Sequence, residues 1–349
     1  MKIAVLLSGG VDSSVALRML HEKEHDLKAF YLKIWLEDEL AYLGDCPWEE
    51  DLRYAHAVCD AVHVPLEVVS LQQQYYERVV EYTVKELKNG RTPSPDIFCN
   101  QRVKFGAFLE AVDEPFDKIA SGHYGRIEKH DGVFHLYKGV DPVKDQTYFL
   151  SHLRQEQVAH CLFPLGDLQK SEVRQRAEEY ELPNRARADS QGICFLGKIK
   201  FNDFVRFHLG ERPGDIVDLA SGRKLGEHRG YWFHTIGQRK GLGLSQGPWY
   251  VVRKDIEANV VYVAHGEQLP EKSRDEFQVA DAHWIHEPPT RRALQAKLRH
   301  SEVVYDCQLV PTGGDIYNVT LTQPDAGVAS GQFAVFYDGD ECLGGARII

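Results

Sequence analysis

The chain opens with an apolar run at 3–7, passes through polar and glycine residues, and then carries Val15, Ala16, Met19 and Leu20 at helical spacing. Further apolar runs at 27–32, 65–71 and 118–120 are separated by stretches of helical period, such as 73–87 and 103–112. Short buried runs alternating with helices predict a doubly wound α/β domain, a parallel sheet with helices on both faces. Residues 152–187 read as polar-faced helix extending that domain. After about residue 205 the pattern changes. Glycine turns fall at 218–222 and 241–247, and alternating strands at 249–253 and 260–263. Beyond about 275 only short strands remain, at 294–298, 303–310, 316–322 and 332–337, which predicts a small β-barrel or sandwich. The expected division is 1–205 for the α/β domain, 206–275 for a small β-rich central domain and 276–349 for a C-terminal β-barrel.

Composition narrows the class. At 349 residues, 43% hydrophobic and 27% charged, the chain has room for two or three packed domains and is not a disordered or fibrous one. Its first apolar run stops after five residues, too short for a secretory signal, and no run approaches the ~18 residues of a membrane span. A cytoplasmic protein without a membrane partner is expected. Seven irregularly spaced cysteines do not form a disulfide framework, and a disulfide in a reducing compartment is more often transient and catalytic. Net charge is −11, which alone argues mildly against nucleic acid. Its distribution weakens that objection: residues 37–51 hold seven acids and no base, whereas 223–240 hold five bases and one acid.

Between the first strand and first helix stands Ser8-Gly9-Gly10-Val11-Asp12-Ser13-Ser14. Glycines let a backbone approach an anion, hydroxyls donate to it, and a helix N-terminus presents unpaired N–H groups behind them. The string is neither G-x-x-x-x-G-K-[ST] nor G-x-G-x-x-G. Farther on, Arg91-Thr92-Pro93-Ser94-Pro95-Asp96-Ile97-Phe98-Cys99-Asn100 forces an irregular loop that leaves Cys99 near a helix start, where a thiolate is stabilised. Cys194 lies in Gly192-Ile193-Cys194-Phe195-Leu196-Gly197, between glycines that make it accessible. Cys59, Cys161, Cys307 and Cys342 read as apolar packing, and Cys46 similarly. His56 and Cys59 lack a second pair of ligands and are not read as a zinc site.

The loop S-G-G-V-D-S-S resembles that of the PP-loop ATPases, which cleave ATP between its α- and β-phosphates to adenylate an oxygen. The resemblance sharpens with the stretch at 90–100, G-H-Y at 122–124, K-D-Q-T-Y-F-L at 144–150, G-I-C-F-L-G at 192–197, G-Q-R-K-G-L at 237–242 and C-L-G-G at 342–345. Seven motifs in this order, spread over the whole chain, are similar to the tRNA-uridine 2-sulfurtransferase (2-thiouridylase) family. That resemblance implies ATP and Mg²⁺ as cofactors, tRNA as substrate, a persulfide donor (a cysteine desulfurase or sulfur-relay protein) and a cellular reductant. It implies that Cys194 carries the persulfide, that Cys99 is the nucleophile, and that the two pass through a transient disulfide. Asp96 would handle a proton or orient the base; capping the local turn is an equal alternative.

By the same resemblance, ATP is held at Leu6, Leu7, Ser8, Gly9, Gly10, Val11, Asp12 and Ser13, with Leu32 and Gly122. The tRNA is met by Ser94, Pro95 and Asp96 at the target base, then by His123, Lys144, Asp145, Gln146, Arg299, His300 and Gln332. Ser94 stands where many members have Asn, and His300 where Tyr is more usual. Competing readings are another PP-loop amide or amine synthetase, an iron–sulfur-dependent thiolation with Asp96, Cys99 and Cys194 as cluster ligands, and an RNA-binding or sulfur-carrier protein without catalysis. The synthetase leaves both cysteine motifs unexplained, and D-x-x-C plus one distant Cys falls short of the usual four-cysteine set.

Overall fold

The N-terminal apolar run forms the central strand of a parallel sheet in the computed structural model, which describes residues 1–34, 48–189, 200–268 and 273–349. Strands β1 (Lys2–Leu6), β2 (Asp26–Lys33), β3 (Leu66–Ser70), β4 (Lys118–Ala120) and β7 (Cys161–Leu162) lie in the order β3-β2-β1-β4-β7, every pairing parallel. Alternation along β1 serves both faces. Ile3 and Val5 join the core with Val15, Leu17 and Leu20 of helix α1 (Val11–Glu22) and with Val58 of α2 (Trp48–Asp60), while Ala4 and Leu6 pack with Phe30 and Phe108. The chain moves from β1 outward through β2 and β3, then crosses to β4 on the other side. The β1/β4 boundary is therefore a topological switch point, where an open α/β sheet leaves a crevice at its C-terminal edge.

The helical stretches expected at 73–87 and 103–112 are present, and each contains a widened turn. π-Helix runs over Tyr76–Val80 in the first and Cys99–Ala107 in the second. Expected helix at 152–187 reduces to Gln155–His160 and Lys170–Glu179, with β7 between them.

An antiparallel hairpin, β5 (Gly125–His130) and β6 (Val133–Lys138), had no counterpart in the pattern of apolar residues. Its outer strand β5 ends in the polar Glu128-Lys129-His130 at the sheet edge, whereas β6, paired on both sides, carries Val133, Phe134, Leu136 and Tyr137. The sheet it joins is the C-terminal one. Strands β12 (Arg274–Trp284), β13 (Ala293–Lys297), β14 (Tyr305–Gly313), β15 (Ile316–Asp325), β16 (Phe333–Asp338) and β17 (Glu341–Ile348) run β12-β15-β14-β13-β16-β17, and β17 pairs back to β12. This closes a six-stranded barrel. Glu341 and Cys342 of β17 pair with Tyr137 and Leu136 of β6, so the hairpin extends the barrel sheet. Between the two lies a four-stranded sheet, β10-β11-β8-β9, of β8 (Gly214–Asp218), β9 (Lys224–His228), β10 (Trp249–Asp255) and β11 (Val260–His265).

One buried ion pair ties the α/β domain to the barrel. Lys297 at the end of β13 and Asp145 have side chains 4% and 1% exposed, with Nζ 2.8 Å from Oδ2. The carboxylate also accepts from the Thr147 hydroxyl (2.8 Å), the Thr147 N–H (3.2 Å) and the Gly139 N–H (3.3 Å). A buried pair this well satisfied is destabilising to break by halves. Lys297→Met is expected to cost about 3–5 kcal/mol, read as a lower urea midpoint and melting temperature. Adding Asp145→Asn to it is expected to recover much of that loss; equal stability of the wild type and the single variant would show the pair to be inert.

Candidate active site

The residues after β1 form a tight glycine turn that leads into α1. Gly9 has φ +74°, and a Cβ there would stand 2.3 Å from the Asp51 carbonyl oxygen. Only glycine fits. The Ser13 hydroxyl donates to Gly10 O (3.1 Å) and accepts from the Ser8 N–H (3.2 Å), while the Ser14 hydroxyl donates to Gly10 O (2.9 Å). The loop is braced from behind: Asn184 Nδ2 donates to Gly9 O (2.8 Å) and Ser14 Oγ (2.9 Å), and Arg187 donates to Gly9 O (3.1 Å) while pairing with Asp51. Ser8 is exposed. Leu6, Leu7 and Val11 are buried, so only their backbone can face a ligand.

Gly122 follows β4 directly across the switch point. A Cβ there would lie 2.7 Å from the Ser13 nitrogen, so the close approach of the β4 loop to the first turn of α1 requires glycine. Leu32 lies near the C-terminal end of β2 beside β1. The ATP-site positions inferred from the motifs thus fall along one sheet edge. Asp12 accepts from the Tyr124 hydroxyl (3.0 Å) and from Lys170 Nζ (2.6 Å).

The Cys99 segment differs in one respect from its sequence expectation. The helix begins at Pro95, with Ser94 as its N-cap, because proline suits a first helical position. Cys99 consequently sits one turn inside the helix rather than at its start, and it is 1% exposed. Ser94 N–H donates to the Tyr82 hydroxyl (3.3 Å). Asn100 Nδ2 donates to Phe149 O (3.1 Å), and the Phe149 ring packs against His300 at 4.6 Å. His300 is near enough to Asp96 to feel its charge. Burial nonetheless holds its pKa below the usual value, and its Nε2–H donates to Asp145 O (3.1 Å). Barrel loops close the other side. Thr92 N–H donates to Ser330 O (2.9 Å), next to Gln332, and Arg299 pairs with Asp325. His123 bonds Ser121 Oγ through Nδ1 (2.7 Å); burial, with Lys104 nearby, pushes its pKa well down and keeps the imidazole neutral.

The motif at 144–149 connects these two regions residue by residue. Lys144 pairs with Asp189 (2.7 Å), Asp145 with Lys297, and Gln146 Oε1 accepts from Tyr124 N–H (3.1 Å). The Tyr148 hydroxyl donates to Phe333 O (3.1 Å). The Asp145 carboxylate therefore faces inward, engaged by the protein's own groups. Cys194 and Cys46 lie outside the described residues, as does the acidic stretch up to residue 47. Sequence reasoning missed Lys170, Asn184, Arg187 and Lys297. None belongs to a recognisable string, and each is brought in from a distant element.

Sheet order, the glycine-lined loop and the closed barrel define the class: an α/β nucleotide-binding domain of PP-loop type followed by two β domains. Residues 1–198 match a family model described as tRNA methyl transferase HUP domain, 202–265 its PRC-barrel domain, and 274–348 an aminomethyltransferase beta-barrel domain. The chain is 46% identical over its full length to tRNA-specific 2-thiouridylase MnmA 1 of Bacteroides thetaiotaomicron and 45% identical to the MnmA of Parabacteroides distasonis, covering 99% of each. It belongs to the MnmA family of tRNA-specific 2-thiouridylases. Among solved structures, the U34-tRNA thiolase NcsA of Methanococcus maripaludis aligns at a TM-score of 0.35 and 19% identity, over 60% of this chain and 68% of that one. NMN synthetase of Francisella tularensis aligns at 0.35 and 13%, over 58% and 71%.

The widened turn beginning at Cys99 has a specific support. Phe105 departs from helical geometry (φ −111°, ψ 15°), and Gln157, 3% exposed, donates its amide to both Gln101 O (2.7 Å) and Phe105 O (2.7 Å). Its Oε1 accepts from Arg154 N–H (2.9 Å), so one side chain serves three backbone groups. Gln157→Leu strips both carbonyls of this donor, at about 1–3 kcal/mol for each left unsatisfied. The variant is expected to melt lower and to alkylate faster at Cys99 by peptide mass mapping. Unchanged alkylation and melting would mean that the turn holds itself.

Proposed function

We propose that this protein is an ATP-dependent tRNA-uridine 2-sulfurtransferase that makes 2-thiouridine at the wobble position of its tRNA substrates. The observation that carries the reading is the Gly9–Ser13 loop facing Gly122 across the sheet's switch point, in a chain related over its full length to 2-thiouridylases. Gly9 packs against Asp51 and Gly122 against the first turn of α1, which brings the N-terminus of that helix to the sheet's switch point, a place that fits a nucleotide phosphate. Asp12, whose Oδ1 is held by Lys170 and Tyr124, is the loop carboxylate that would hold a Mg²⁺ ion brought in with ATP, and the ion would neutralise phosphate charge.

The C2 oxygen of uracil takes the AMP portion of ATP, and pyrophosphate leaves. Oxygen, a poor leaving group, can now depart within AMP. Sulfur arrives through a Cys194 persulfide. In one route the Cys99 thiolate attacks the Cys194 Sγ, forms the Cys99–Cys194 disulfide and expels hydrosulfide, which adds to C2. In the other the outer persulfide sulfur adds to C2 and Cys99 then cleaves the S–S bond. Either way C2 gains sulfur, AMP carries off the oxygen, and two electrons from a cellular reductant reopen the disulfide. Burial of Cys99 shields its thiol from solvent until the base and Cys194 arrive. Asp96 orients the uracil or moves its proton. Ser94, Pro95, His123, Arg299, His300 and Gln332 meet the tRNA, with the base flipped from its stack. The sulfur donor is a cysteine desulfurase or a relay protein. No helix among the described residues is long and apolar enough to cross a membrane. The tRNA is met in the cytoplasm.

Nucleoside mass spectrometry on unmodified tRNA, with Mg-ATP and a persulfide donor under reducing conditions, tests this. 2-Thiouridine is expected only with ATP, falling at least 100-fold in Cys99→Ala and Cys194→Ala, with Cys194→Ala partly rescued by free sulfide. AMP release on an amine substrate without thiolation would favour a synthetase instead. Anaerobically purified protein is expected to contain no stoichiometric iron or acid-labile sulfide; an intact cluster required for turnover would replace the persulfide route.

A further inference from the structure

A cluster of charges beside the loop extends from Asp12 to side chains that this mechanism does not use. Lys170 is the first residue of the helix Lys170–Glu179, and its side chain is 15% exposed. Its Nζ lies 2.6 Å from Asp12 Oδ1 and 2.8 Å from Asp189 Oδ1, near the face of the Tyr124 ring. Asp189 is also held by Lys144 (2.7 Å) and Arg174. Arg174 has other duties, donating to Arg185 O (3.1 Å) and Arg187 O (2.7 Å), and so fixes the backbone that braces Gly9. Lys170 has none of that kind: both of its partners are carboxylates. Three cations meet Asp12 and Asp189 here. The buried Asp141 carboxylate accepts from the Lys170 N–H (2.9 Å) and the Lys144 N–H (3.1 Å), so the cluster is balanced. Each cation is already held by carboxylates that an entering anion would have to displace. The Asp189 carboxyl stays well below its usual pKa: burial pushes it up, but the hydrogen bonds from Lys144 and Lys170 outweigh that.

We propose that Lys170 is a phosphate-binding residue for the departing pyrophosphate end of the nucleotide, and that Asp189 is an internal anion competing for the same ammonium group. This rests on the ATP-dependent reading above and adds a residue to it. The Asp12 contact puts the Lys170 ammonium at the second residue of α1, beside the N–H groups that receive phosphate. A diphosphate carries more charge than one carboxylate and presents several oxygens, so it can exchange with Asp189 at Lys170 while Arg174 keeps the bracing segment in place. AMP lacks the β- and γ-phosphates and has no group to make this contact.

Equilibrium binding of inorganic pyrophosphate, ATP and AMP to the full-length protein at fixed ionic strength tests the assignment. Lys170→Met is expected to weaken pyrophosphate and ATP at least tenfold and leave AMP within twofold. Lys170→Arg is expected to retain most of the affinity. Asp189→Asn is expected to tighten pyrophosphate several-fold, the opposite sign from damage to a merely structural network. Unchanged pyrophosphate affinity in Lys170→Met, a parallel loss of AMP, or weaker binding in Asp189→Asn would each overturn the proposal while leaving the sulfurtransferase reading intact. A wild-type protein that binds neither ATP nor pyrophosphate would overturn both.

Discussion

The Asp145–Lys297 ion pair is the constraint on which the arrangement of this molecule depends. Taking two charges out of water is expensive, and the geometry recovers that cost because the carboxylate also accepts from Thr147 and Gly139. Those bonds hold the segment 139–149 in one conformation, with the end of β13 fixed against it. The neighbours of Asp145 are placed as a consequence. Gln146 meets Tyr124, which itself reaches Asp12 of the loop, while Phe149 meets both His300 and, through its carbonyl, Asn100 of the Cys99 helix. The buried pair thereby acts with the β6–β17 pairing and the Tyr148–Phe333 and Thr92–Ser330 bonds to hold the barrel against both the nucleotide edge and the Cys99 helix.

The nucleotide edge is built by close approach rather than by charge alone. Gly9 sits against Asp51 and Gly122 against the first turn of α1, at distances no side chain allows. Asn184 and Arg187, far along the chain, take up the Gly9 carbonyl and keep the loop's peptide groups oriented. The Cys99 helix follows the same economy: Gln157 occupies the carbonyls of a widened turn, so the turn persists without straining its neighbours. Both devices are backbone shapes held by single polar side chains from elsewhere in the domain.

Much of the fold was legible in the sequence because burial on both faces leaves unbroken apolar runs, as in β1 and β2, and helical period leaves a stripe, as in α1. The barrel strands with alternating residues were legible for the same reason. Strands β12 and β17 were not. The first is largely polar, and the second carries Gly344 and Gly345, where a Cβ at Gly344 would lie 2.1 Å from His283 O. Strand β5 escaped notice because its edge position demands little apolar patterning, and its partner β6 is a run of only six residues.

The sequence by itself determined the chemistry: a glycine-serine loop for phosphate, two cysteines in distinctive strings, and membership of a tRNA-modifying family. These are local features, since spacing and residue type suffice to carry them. Tertiary structure decided which side chains face one another. That Asp145 turns inward to Lys297, that Lys170 meets Asp12 and that Gln157 supports the Cys99 turn all depend on contacts between residues dozens to more than a hundred positions apart. No local pattern encodes such contacts, because they exist only once the cores of the sheet and barrel have packed.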